Sequence, residues 1–65
     1  MRVLVNQIEH DVPAGSLVSN VLSHVKAQPP FAVAVNVSFV AKDHYTETVL
    51  QENDQIEIIT PVTGG

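Results

Sequence analysis

Residues 3–25 read VLVNQIEHDVPAGSLVSNVLSHV, and the change of period inside this stretch decides the fold. Val3-Leu4-Val5 is a β-branched-rich run closed by Asn6-Gln7, which reads as strand, then turn. Ile8, His10 and Val12 then alternate with Glu9 and Asp11, the period of a half-exposed strand. Two such runs joined by a short polar turn pair most economically as a hairpin, which Pro13-Ala14-Gly15 ends. Beyond it the period lengthens. Leu17, Val18, Val21, Leu22 and Val25 recur at helical spacing and form one apolar stripe, while Ser19, Asn20, Ser23 and His24 fall mostly on the wet side. Ser16 stands where an N-cap is expected. Lys26 falls in the last turn, where it complements the negative end of the helix dipole. Pro29-Pro30 forbids continuation. The valines lower intrinsic helix propensity, so this helix is expected to depend on docking against the sheet.

Working outward, residues 31–35 form a continuous apolar run, short enough for a buried strand. Asn36-Val37-Ser38 is a weak turn and Phe39-Val40 a further apolar pair. Asp43 is placed to cap a single helical turn through Tyr45 and Glu47, after which Val49 and Leu50 return the chain to the core. Glu52-Asn53-Asp54 is a polar turn. Residues 55–60 are the last strand, with Ile56 and Ile58 on one face and Glu57 and Ile59 on the other. The expected architecture is α+β: a mixed sheet of four to five strands packed on one helix, with the apolar first and last strands paired at its centre. Residues 1–60 form that domain and residues 61–65 a flexible tail.

Composition narrows the function. A chain of 65 residues is one small domain that buries only about 60% of its unfolded surface. It contains no cysteine, which removes disulfides, sulfur ligation of metals and a thiol nucleophile. Apolar packing must carry the fold, and 45% hydrophobic residues permit it. Seven acidic residues face three basic ones, Arg2, Lys26 and Lys42, for a formal net charge of −4. So few, scattered cations do not suit nucleic acid or an anionic membrane surface. The opening Met-Arg-Val-Leu-Val-Asn is too short for a signal peptide, and no apolar run approaches the roughly 20 residues that span a bilayer. The expected location is the cytoplasm. His10, His24 and His44 have no metal-ligand spacing. The serines lack a nucleophile-elbow context. Glu52, Asp54 and Glu57 lack the glycine and spacing of a calcium loop, and either solvate a turn and an edge or meet basic residues on a partner. No acid–base or nucleophile–base constellation is visible, so the chain is not expected to be an enzyme.

The informative feature is Pro61-Val62-Thr63-Gly64-Gly65, which follows the last strand directly. Pro61 cannot extend the ladder through its own amide. Gly64 and Gly65 lack Cβ atoms, so a carboxylate at Gly65 can enter a channel too narrow for any other residue. An α-carboxyl titrates near about 3.5 and is ionised at neutral pH. It can attack the α-phosphate of a nucleotide and become a reactive acyl-adenylate.

Several segments resemble the ThiS family, the sulfur carriers of thiamin biosynthesis. They are Val3-Leu4-Val5-Asn6, Val12-Pro13-Ala14-Gly15, Phe31-Ala32-Val33-Ala34-Val35-Asn36, Tyr45-Thr46-Glu47-Thr48-Val49-Leu50, Asp54-Gln55-Ile56-Glu57-Ile58-Ile59 and the terminal Pro61-Val62-Thr63-Gly64-Gly65. The resemblance implies a ubiquitin-like β-grasp fold. It also implies a cycle in which an E1-like, ThiF-like ATP-dependent enzyme adenylates Gly65. A sulfur relay fed by a cysteine desulfurase then replaces AMP, and a ThiG-like thiazole synthase accepts the sulfur of the resulting thiocarboxylate. The carrier itself would bind no cofactor; ATP is consumed by its partner. Val62, Thr63 and Gly64 would thread the partner's channel behind Gly65, with Pro61 at the exit. Relatives often have Gly after the asparagine that ends the third strand, and Val37 stands there instead. A β-branched residue tolerates positive φ poorly, so this turn is expected to differ in type or to place Asn36 in the left-handed region.

Ile59 faces away from the helix in this reading, with Phe39 or Val40 beside it and Glu57 on the same face. An apolar patch next to the tail would dock a partner. Other functions stay open. The small subunit of molybdopterin synthase has a similar tail but usually more residues between helix and third strand than Ala27-Gln28-Pro29-Pro30. A protein-conjugating modifier would end in an isopeptide bond to lysine. A plain β-grasp binding domain would carry an inert tail.

Overall fold

The computed structural model describes residues 1–61. The elements are β1 (Arg2–Val5), β2 (Ile8–Asp11), α1 (Val18–His24), β3 (Ala32–Val35), β4 (Ser38–Val40), a 3-10 turn (Lys42–His44) and β5 (Gln55–Ile59). They form one five-stranded sheet in the order β2-β1-β5-β3-β4. β1 and β5 run parallel, side by side, and every other neighbouring pair is antiparallel. The expected fold is the observed one: a mixed sheet with a single α-helix on one face.

Side-chain alternation decides which face is covered. Val3 and Val5 of β1, Ile56 of β5 and Val33 of β3 are buried with Val18, Val21 and Leu22 of the helix. Val12 and Leu50 complete this core. Val49, expected to return to the core with Leu50, is instead largely exposed and forms an isolated bridge with Leu17.

Both hairpins close with two-residue loops in the left-handed region. Asn6 and Gln7 take φ of 50° and 69°, Asn36 and Val37 take 50° and 63°. Positive φ at both positions marks type I′ turns, whose twist matches that of the flanking strands. Asn36 is therefore left-handed, as expected, and Val37 joins it despite its branched side chain.

The helix ends differ from the sequence reading. Leu17, not Ser16, is the N-cap residue. Ser16 is buried and its hydroxyl donates to the Pro13 carbonyl at 2.6 Å. A side-chain cap is unnecessary because carbonyls distant in sequence do its work. The Val18 and Ser19 amides donate to Thr48 O and Tyr45 O at 3.0 and 2.9 Å, and the Leu17 amide donates to Asn20 Oδ1 at 2.8 Å. At the other end Lys26 lies beyond the helix with φ of 56°. Its amide donates to Ser23 O and that of Ala27 to Leu22 O, the paired bonds of a Schellman motif with Lys26 in the position glycine usually takes. Asp43 lies inside the 3-10 turn, whose N-cap is Ala41 with no side-chain cap bond.

Candidate functional site

The chain leaves the sheet from its middle strand. Ile59 ends β5, and Thr60 and Pro61 follow, both exposed. Pro61 has no amide hydrogen to continue the ladder. The remaining tail positions singled out from sequence, Val62, Thr63, Gly64 and Gly65, lie outside the described residues.

The last turn of β5 is gripped on both sides. On the β3 side, Ile58 pairs with Val33 and Ile59 with Ala32. On the other side β1 has already ended at Val5, and a side chain replaces it. Asn6 Oδ1 accepts from the Ile58 amide at 2.8 Å, and Asn6 Nδ2 donates to the Ile58 carbonyl at 3.3 Å. The start of β5 is held likewise by Asn36, whose Oδ1 accepts from the Gln55 amide at 2.9 Å. Sequence reading assigned these asparagines to turns only. Their second role joins residues more than 18 positions apart, and the one legible hint was asparagine at the same corner of both hairpins.

The sheet face opposite the helix carries three of the expected docking residues. Register places Ile59 beside Ala32, Glu57 beside Ala34, and Phe39 on the far side of Ala34. The two alanines are low, so Phe39 and Ile59, 72% and 54% exposed, stand above the sheet. Val40 does not join them. It pairs with buried Val33 and so turns toward the helix, because side chains one residue apart in a strand point to opposite faces.

Arg2, Glu9 and Asp11 lie at the far end of this open face. Arg2 Nη1 meets Glu9 Oε1 at 3.3 Å, and Arg2 Nη2 donates to Asn53 Oδ1 at 2.9 Å. Two members of the acidic trio are engaged in the turn before β5. Glu52 accepts from the Arg2 amide, while Asp54 accepts from Asn36 Nδ2 at 2.9 Å and from the Gln51 amide at 2.8 Å. Glu57 is left exposed on the open face.

On the helix side, a groove runs between the hairpin and the segment after α1, lined by Val5, Ile8, Val25, Ala27, Ile58 and Thr60 among others. Ile8 points to the packed face but is 63% exposed there, because α1 stops at His24. His10 and His24 meet edge to face at 5.4 Å across that side, a proximity their sequence separation conceals. Among the described residues no three His, Cys, Asp or Glu side chains converge as metal ligands, and no helix is long and apolar enough to cross a membrane.

A family model described as "ThiS family" matches residues 1–65. Two solved structures share the fold. The crystal structure of a thiamine biosynthesis protein (ThiS) from Geobacter metallireducens superposes with a TM-score of 0.85 at 22% identity, over 100% of both chains. The solution NMR structure of a thiamine biosynthesis protein from the same organism gives 0.77 at 22% identity, over 100% of this chain and 88% of that one. No curated protein matches the chain.

Proposed function

Because the chain belongs to the ThiS family of sulfur carriers, we propose that it carries sulfur for thiazole formation in thiamin biosynthesis on the main-chain carboxylate of Gly65. The observation that supports this most strongly is the family match over residues 1–65, which runs through Gly64-Gly65. In the proposed cycle an E1-like, ThiF-like enzyme binds ATP, and a Gly65 carboxylate oxygen attacks its α-phosphorus. Pyrophosphate leaves and an acyl-adenylate forms. A persulfide on a relay protein fed by a cysteine desulfurase then attacks the acyl carbon and displaces AMP, and a thiol cleaves the resulting acyl disulfide, leaving the thiocarboxylate and a protein disulfide. A ThiG-like thiazole synthase takes the sulfur and returns the carboxylate.

The carrier is a co-substrate in this cycle and supplies no catalytic group. Its body contributes shape and attachment. Two residues without Cβ atoms at the reacting end let an acyl group reach a buried nucleotide. The acidic open face with Ile59, Phe39 and Glu57 suits a partner surface that offers an apolar pocket rimmed by basic residues. In vitro reconstitution tests the reading. Incubation with a ThiF-type enzyme and labelled pyrophosphate must give Gly65-dependent exchange of label into ATP. Equal exchange by a chain lacking Gly64 and Gly65 would contradict it.

A further inference from the structure

Resting on that reading, we propose that Asn6 is a positioning residue for activation of Gly65: its carboxamide stands in for the missing strand beside Ile58 and sets the direction in which the tail departs. The parallel ladder between β1 and β5 covers Leu4 with Gln55 and Val5 with Ile56, and closes with the Asn6 amide donating to Ile56 O at 2.9 Å. β1 then turns away into the first hairpin while β5 continues to Ile59. Both polar backbone groups of Ile58 face the side that β1 has vacated, and both are taken by the Asn6 side chain at 2.8 and 3.3 Å.

A planar carboxamide offers one acceptor and one donor, as a peptide group does. Two bonds fix the orientation of Ile58, where one would leave a pivot. Thr60 and Pro61 follow Ile58 within three residues, so a tilt at Ile58 redirects the exit from which the tail starts. Loss of the grip therefore acts on the geometry of attack, while Phe39, on β4 two strands away from β5, stays in place for docking.

Glycine substitution isolates the carboxamide, because Asn6 and Asn36 both have φ of 50°, a conformation glycine adopts freely. Asn6→Gly removes the grip on the end of β5. Asn36→Gly removes the matching grip on its start, two bonds at 2.9 Å, far from the exit. Adenylation by a ThiF-type enzyme is followed by pyrophosphate exchange, with the folded fraction of each variant checked by denaturation. Asn6→Gly is expected to lower kcat about tenfold, with KM within about twofold of the parent. Asn36→Gly is expected to stay within about twofold in both. Asn6→Asp keeps the acceptor for the Ile58 amide but turns a second oxygen toward the Ile58 carbonyl, so it should lose kcat as Asn6→Gly does, again with KM nearly unchanged. Equal kcat for Asn6→Gly and the parent, or equal losses for Asn6→Gly and Asn36→Gly, would overturn the proposal and leave the carrier reading intact. An inactive parent chain would sink both.

Discussion

Asn6 and Asn36 share one backbone conformation, φ of 50°, at the first corner of the two hairpins, and their carboxamides grip β5 from opposite sides. Asn6 reaches Ile58 from the β1 side, and Asn36 reaches Gln55 from the β3 side. Each asparagine serves as a turn residue and as a substitute for missing strand. Replacing Asn36 by alanine removes both bonds and keeps a Cβ in the left-handed region without asparagine's tolerance of it. Asn36→Gly removes the bonds and the Cβ together. Chemical denaturation should rank the alanine variant about 1 kcal/mol below the glycine variant. Equal stabilities would mean that the turn contributes no conformational cost.

Val37 carries the clearest local strain. It is a branched residue at φ of 63° and 89% exposed, so its side chain returns almost no packing for an unfavourable backbone. Val37→Gly should raise stability by about 1 kcal/mol, read as a shift in denaturation midpoint at constant slope. An unchanged or lower midpoint would contradict the turn assignment.

Lys26 occupies the C′ position of α1 with φ of 56°. Lys26→Gly should stabilise by roughly 0.5–1 kcal/mol, since glycine takes the left-handed region without a Cβ penalty. The same change would cost a comparable amount if Lys26 lay within the last helical turn, as its sequence position implies. The sign of the effect separates the two.

The open face and the covered face should answer differently to one kind of substitution. Ile59→Asp places charge on an exposed position and should reduce adenylation while leaving the fold intact. Val40→Asp places charge toward the core, beside Val33, and should destabilise by about 2–3 kcal/mol. Unchanged adenylation kinetics for folded Ile59→Asp would remove this face from the docking account.

Legibility followed the range of the interactions. The fold was readable because it is written in local periods: alternation at Ile8–Asp11 and helical spacing through Leu17, Val18, Val21 and Leu22. Central pairing of the first and last strands was readable from their apolar content. The cap of α1 was not, since Thr48 O and Tyr45 O do work that a local serine does elsewhere. Val40 and Phe39 could be separated only once register tied Val40 to Val33. The Asn6 grip on Ile58 depends on where β1 stops relative to β5, which no local pattern encodes. The proposed tail chemistry rests on Gly64-Gly65 in the sequence and on the family resemblance, with residues 62–65 outside the described ones.

The central claim is that sulfur is carried on the acyl carbon of Gly65, and intact-mass spectrometry of the protein purified from cells with its native end tests it most directly. Exchange of one carboxylate oxygen for sulfur adds roughly 16 Da to a fraction of the molecules, and fragmentation must place the increment on the piece containing Gly65 and not on Met1, whose oxidation adds a similar mass. A species lacking that increment at Gly65 under thiamin starvation, with the partner enzymes present, would contradict the account.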